Sequence, residues 1–216
     1  MRLLLFYRVQ LMEVIPIFEK HVPPAAVAYC YTLWQHHSFT LQVTRPRHTK
    51  LGDFRAELRR DQQPGFSYTI TVNNNLNPSA FLITYLHEVA HLLVHQRVRR
   101  MGRPHGPAWQ KAFREVMQPV LNETVFPQSI LVPLSHYLQR PAASTGAHPA
   151  LTKALRQLDA PPAGHHLLVD MPEGSPFRFL EKEYIRGMKR RTRIVCTEKA
   201  TGLNVSVWAH VWVEKV

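Results

Sequence analysis

The sequence predicts an α+β protein: a domain with a small mixed sheet, a long helix and flanking helices, followed by a small all-β module. Three observations predict it. Apolar and polar residues alternate over Phe39, Leu41 and Val43 and again over Phe66, Tyr68, Ile70 and Val72, the period of a half-buried strand. Residues 78–98 carry Phe81, Leu82, Tyr85 and Leu86 at helical spacing behind Asn77-Pro78, a helix-start signal. The final stretch, with Phe177, Phe179, Tyr184, Ile185, Ile194, Val195, Val205, Val207, Trp208, Val211 and Val213, is aromatic and β-branched and is punctuated by Gly174, Gly187 and Gly202.

Taken in chain order, Pro23 and Pro24 open a first helix that runs on through Val27, Leu33 and Trp34, proline being tolerated where the first-turn N–H has no partner. Residues 49–60, with Leu51, Phe54 and Leu58 around Gly52-Asp53, read as strand in preference to loop. Gln63-Pro64-Gly65 turns the chain into the next strand, and the Asn-rich run 73–77 ends it. Gly102 to Pro107 breaks the long helix. A second helix follows, with Ala108, Trp109, Ala112, Phe113 and Val116 on one face up to Pro119. Residues 141–166, rich in Pro, Ala, Gly and Ser around the amphipathic piece 151–158, read as a linker with a short helix. The expected domains are therefore 1–140, the linker 141–166, and a basic β-module at 167–216.

The 216 residues, 45% of them hydrophobic, suffice for a real core. No apolar run reaches the roughly 18 residues of a membrane span, and Arg8 interrupts the apolar start Leu3–Tyr7, so neither a targeting segment nor a membrane partner is expected. Cys30 and Cys196 form no CxxC pair, which argues against a disulfide framework or a cysteine-rich zinc site and fits a reducing cytoplasm. The formal charge of +12, from 27 Lys and Arg against 15 Asp and Glu, biases the protein toward polyanions without establishing one.

The long helix contains His87-Glu88-Val89-Ala90-His91. Residues four apart on a helix point the same way, so His87 and His91 can place two imidazole nitrogens on one zinc ion. Glu88, offset by one residue, stands beside that ion and not on it, where a general base for a metal-activated water belongs. A catalytic zinc takes three protein ligands and keeps one position open. His95 lies about 12 Å along the helix axis from His87, too far for the same ion. The elongated pattern with glycine three residues and histidine six residues after the second ligand fails, because Val94 and Arg97 stand there. His105 is the better third ligand, since Gly102 and Pro104 let the chain reverse toward the helix; the alternatives are Glu115 on the next helix or no organised third ligand. Tyr85 and Tyr68 are oxyanion-donor candidates with no further support.

Thr84-Tyr85-Leu86-His87-Glu88-Val89-Ala90-His91, together with His105-Gly106-Pro107-Ala108-Trp109, resembles the SprT-like zinc metalloprotease family over roughly residues 20–120. The resemblance implies a zincin-like protease domain, His87, His91 and His105 as ligands of one catalytic zinc, Glu88 as catalytic base, and a protein or peptide substrate, on the pattern of the DNA–protein-crosslink protease Spartan. Many bacterial members continue into a cysteine-rich zinc ribbon. Here Cys196 is the sole cysteine after residue 30, and the β-module takes the ribbon's place.

Two basic runs suggest DNA as a partner: Arg97, Arg99, Arg100 and Arg103 beside the metal motif, and Arg186, Lys189, Arg190, Arg191 and Arg193 in the β-module, where a strand from Thr192 would put Arg191 and Arg193 on one face. A competing function is a non-catalytic nucleic-acid-binding protein with a structural zinc, and a weaker one is hydrolysis of a non-peptide bond. A structural site closed by four ligands has no need of Glu88, which favours the enzyme.

Overall fold

The computed structural model describes residues 14–47, 49–59, 65–97, 102–159 and 163–216. The chain divides into two compact units, Met1–Ala143 and Ser144–Val216.

In the N-terminal unit, α1 (residues 14–21) precedes the expected first helix. Its basis is the four-residue recurrence of Val14, Phe18 and Val22, all buried. A 3-10 turn, Pro24–Ala26, then leads into α2 (Val27–His37), which ends at Ser38 in the left-handed conformation. Strands β1 (Thr40–Thr44), β2 (Gly52–Leu58) and β3 (Phe66–Asn73) form a sheet of order β1-β3-β2. β1 runs parallel to β3 and β2 antiparallel to it, so β2 is an edge strand. Ile70 and Val72 on the central strand are fully buried.

The chain then enters α3 (Pro78–Arg97), whose start is capped by the Asn77 side chain accepting from the Ala80 amide at 2.9 Å. Phe81, Leu82, Tyr85, Leu86, Val89, Ala90 and Leu92 point to several sides of this helix and are all fully buried. A helix that is apolar all round is an interior helix. Any ionisable group on its buried part therefore needs a local reason to be there. The Tyr85 hydroxyl donates to the Cys30 carbonyl at 3.0 Å, which makes it a core anchor and removes it as an oxyanion donor. α4 (Pro107–Met117) packs on α3 and is followed by a 3-10 turn, Gln118–Val120. α5 (Gln128–Gln139) follows, a helix that no expectation covered. Pro133 lies inside the helix, whose inner face is held by Ile130, Leu134, Tyr137 and Leu138.

The C-terminal unit opens with α6 (Pro149–Gln157). Its sheet comprises β4 (His165–Leu167), β5 (Pro176–Phe179), β6 (Lys182–Arg190), β7 (Arg193–Glu198), β8 (Asn204–Trp208) and β9 (Trp212–Lys215), in the order β4-β9-β5-β6-β7-β8 and antiparallel throughout. Leu168, Phe177, Tyr184, Ile194, Cys196 and Val213 anchor its core. The stretch read as a linker thus carries α6, and its last residues already belong to the sheet through β4. Arg191 departs from expectation. Arg190 pairs with Arg193, so Arg191 and Thr192 form a two-residue turn, and Arg191 shares no strand face with Arg193. Cys30 and Cys196 are both buried free thiols, and among the described residues no helix is long and apolar enough to cross a membrane.

Candidate metal centre

His87 and His91 project from one face of α3, with their Nε2 atoms 3.3 Å apart. His105 arrives from the turn between α3 and α4. Its φ of 60° is left-handed, a conformation that histidine adopts more readily than most residues, and it aims the imidazole back at the helix. The turn is closed by the Gly106 amide donating to the Arg103 carbonyl at 2.9 Å. A Cβ on Gly106 would lie 2.9 Å from that same oxygen, so only glycine fits, and Pro107 then starts α4. His105 Nε2 lies 3.0 Å from Nε2 of both His87 and His91.

Three imidazole nitrogens in such a triangle cannot satisfy one another. Each Nε2 is either a donor or an acceptor, so at least one of the three pairs must be donor against donor or lone pair against lone pair. A cation at the centre resolves the conflict. Ligands about 2.0–2.1 Å from a tetrahedral ion stand about 3.3–3.4 Å from each other, close to the observed edges. The protonation state agrees: burial, with the neighbouring imidazoles adding to it, pushes His87 down to about 3 and His91 down to about 4, and burial lowers His105 as well. Neutral imidazole is the ligating form. These three residues could hold a metal ion, and among the described residues they are the one group of that kind.

Glu115, the alternative ligand, is outside this group. It faces solvent in a 2.6 Å ion pair with Arg97. His95, one turn beyond His91, packs instead among the rings of Phe54, Phe66 and Tyr68. Trp109 closes the His-Gly-Pro-x-Trp motif that carries the family resemblance, but sequence reasoning assigned it no role at the site. Its helical spacing placed it on the buried face of α4, and its ring stands 4.5, 5.5 and 4.7 Å from the imidazoles of His87, His91 and His105 and forms a wall of the site. Its Nε1–H donates to the His87 carbonyl at 3.3 Å, and its other neighbour is Phe113, stacked at 5.0 Å.

Glu88 is 7% exposed. Burial, reinforced by the Asp53 carboxylate, pushes its carboxyl up to about 8, against the pull of Arg47, Lys50 and the Phe54 amide that hydrogen-bonds it. At that value the acid form prevails at neutral pH; the charge of a cation held by the three histidines would favour the ionised form that a base needs. What positions it is Gly52 on β2. A Cβ there would lie 2.6 Å from Glu88 Oε1 and 2.8 Å from Thr84 Cγ2, so the edge strand passes over the carboxylate at a distance only glycine allows. Gly52→Ala is therefore expected to displace Glu88 and to cost about 1–3 kcal/mol in stability through overpacking. Thermal melting and metal content would check this: a melting temperature and a metal content both equal to wild type would show that β2 and α3 are not in forced contact.

The basic residues divide. Arg97 is neutralised by Glu115, Arg103 lies in the turn before His105, and Arg99 and Arg100 fall outside the described residues. Arg186 pairs with Glu173 at 3.7 Å. No ion pair involves Lys189, Arg190, Arg191 or Arg193 among the described residues. Arg193 instead lies over the ring of Trp208, 4.4 Å from its centroid, and Trp208 is 49% exposed.

A model of the SprT-like family matches residues 34–130, a span that holds His87, Glu88, His91, His105 and Trp109. No curated protein and no solved structure matches the chain.

Proposed function

Because residues 34–130 belong to the SprT-like family, we propose that this chain is a zinc-dependent endopeptidase with His87, His91 and His105 as the metal ligands and Glu88 as the general base. The observation that carries the reading is the triangle of three neutral imidazoles beside a buried carboxyl, with no fourth ligand joining it among the described residues. A structural zinc would be closed by a fourth protein ligand; three leave a position for chemistry. Bound there, zinc supplies Lewis acidity and lowers the pKa of a coordinated water from about 15.7 toward about 7. Glu88, held by the Phe54 amide, takes a proton from the attacking water on a carboxylate oxygen and delivers it to the departing amine. The wall of Trp109 and Phe113 excludes bulk water from the ligand side and fixes the imidazole rings.

Cleavage of an unfolded protein substrate should stop on treatment with a strong zinc chelator and return on adding zinc back. Proteolysis that persists in the chelator would refute the assignment, and metal binding with no cleavage of any polypeptide would favour the non-catalytic, nucleic-acid-binding alternative.

The finer part of the reading is that substrates are proteins associated with or crosslinked to DNA, met in a reducing cytoplasm. It is supported by the +12 charge and by the unneutralised hairpin of Lys189, Arg190, Arg191 and Arg193 beside the exposed Trp208, a combination suited to phosphates and bases. Replacing Arg190 and Arg191 by alanine is expected to weaken DNA binding and to flatten its salt dependence by up to about two units of log–log slope, as measured by fluorescence anisotropy from 50 to 200 mM salt. An unchanged slope would remove the hairpin from the interface.

A further inference from the structure

Side chains on β2 and β3 alternate between the two faces of the sheet. Gly52 faces Thr84 and Glu88 of α3, so Phe54, Ala56 and Leu58 share that face. Opposite them in register stand Val72, Ile70, Tyr68 and Phe66. Burial falls steadily along this row: Val72 and Ile70 are fully covered, Tyr68 is half-buried, Phe66 is 40% exposed and Leu58 is 72% exposed. The covered end lies against the helix, whereas the open end is an aromatic shelf. Phe54 and Tyr68 are stacked at 6.1 Å and Phe66 and Tyr68 at 6.3 Å, and His95 meets all three rings edge-on at 4.7 to 5.9 Å. The shelf is continuous with the metal centre by two routes. His95 is one helical turn, about 6 Å, beyond the ligand His91, and Phe54, which supplies a ring to the shelf, holds the Glu88 carboxyl through its own amide.

We infer that this shelf, formed by Phe54, Leu58, Phe66, Tyr68 and His95, is a specificity site that receives a large apolar or aromatic side chain of the polypeptide whose peptide bond lies at Glu88. The inference rests on the endopeptidase reading. A polypeptide held with one bond at Glu88 advances about 3.3 Å per extended residue, so a side chain within roughly three residues of that bond reaches the shelf. Apolar area left open next to a polar, buried reaction centre is what fixes a substrate's register, since burial of an aromatic side chain there adds affinity that a serine cannot supply.

The test uses the zinc-loaded Glu88→Gln chain and fluorescent peptides of about twelve residues, identical except for Phe or Ser at one central position, with binding read by anisotropy. The Phe peptide is expected to bind about tenfold more tightly, and Leu58→Ser and Phe66→Ser, both at exposed positions, should each cut that preference about threefold. Equal affinity for the two peptides, no measurable binding of either, or a preference untouched by both variants would overturn the inference. So would a concentration-dependent dimer in size-exclusion chromatography that Phe66→Ser abolishes, because a second copy would then be the occupant. The same peptides incubated with wild type separate the two readings. Cleavage without preference for Phe sinks the shelf and keeps the endopeptidase, while a binding preference with no cleavage sinks the endopeptidase and keeps the shelf.

Discussion

Glu88→Gln is expected to lower the rate of peptide-bond cleavage by about 100- to 10,000-fold, the usual contribution of a positioned acid–base group, while leaving the bound metal at its wild-type stoichiometry. Glutamine keeps the length and shape of the side chain, so the close approach of Gly52 is undisturbed, and it can still accept from the Phe54 amide through its carbonyl oxygen. What it cannot do is take a proton from water. The triangle of His87, His91 and His105 does not involve residue 88, so metal content measured on the same sample separates loss of chemistry from loss of the site. Wild-type turnover in this variant would remove Glu88 from the mechanism. Loss of metal along with activity would instead make it a residue that maintains the site.

His105→Gly should lose the metal and, with it, all activity. Removing even an outer partner of a metal ligand costs 10- to 100-fold in affinity, so removing a ligand itself is expected to cost more than about 100-fold. The glycine substitution is informative because residue 105 sits at a φ of 60°. Glycine adopts that conformation freely, whereas alanine there costs about 1–2 kcal/mol. His105→Ala should therefore lose metal to the same extent but melt lower than His105→Gly. Added zinc offers a further readout, since a ligand at 100 times its dissociation constant stabilises the native state by about 2.7 kcal/mol. Wild type should show that gain, and neither variant should. Retention of zinc by His105→Gly at wild-type affinity would mean that the third ligand is another residue.

The two helix histidines of the candidate metal centre were legible in the sequence because spacing on a helix is a local property: His87 and His91 four apart need only α3 to form, and α3 is announced by its Asn77-Pro78 start. The strands β1 and β3 were legible for the same reason, through the period-two alternation of their side chains. Local signals were poorer guides to α5 and to Arg191. α5 forms around Pro133 because its other face is buried, and Arg191 falls in a turn because the two flanking strands pair Arg190 with Arg193. Both outcomes are set by contacts between segments, which no window of neighbouring residues contains.

The sequence by itself therefore determined the class of the protein, the helix that carries His87, Glu88 and His91, and the loop that returns His105. The tertiary structure alone decided the rest. It brought the three nitrogens to 3.0–3.3 Å, rejected Glu115, stood Trp109 against all three imidazoles, and laid Gly52 over Glu88. The physical reason is range. Spacing along one helix fixes which side chains share a face, but how close a second element approaches that face depends on the register of β2 on β3 and on the packing of α4 against α3, where a single Cβ at position 52 would push the carboxylate out of place.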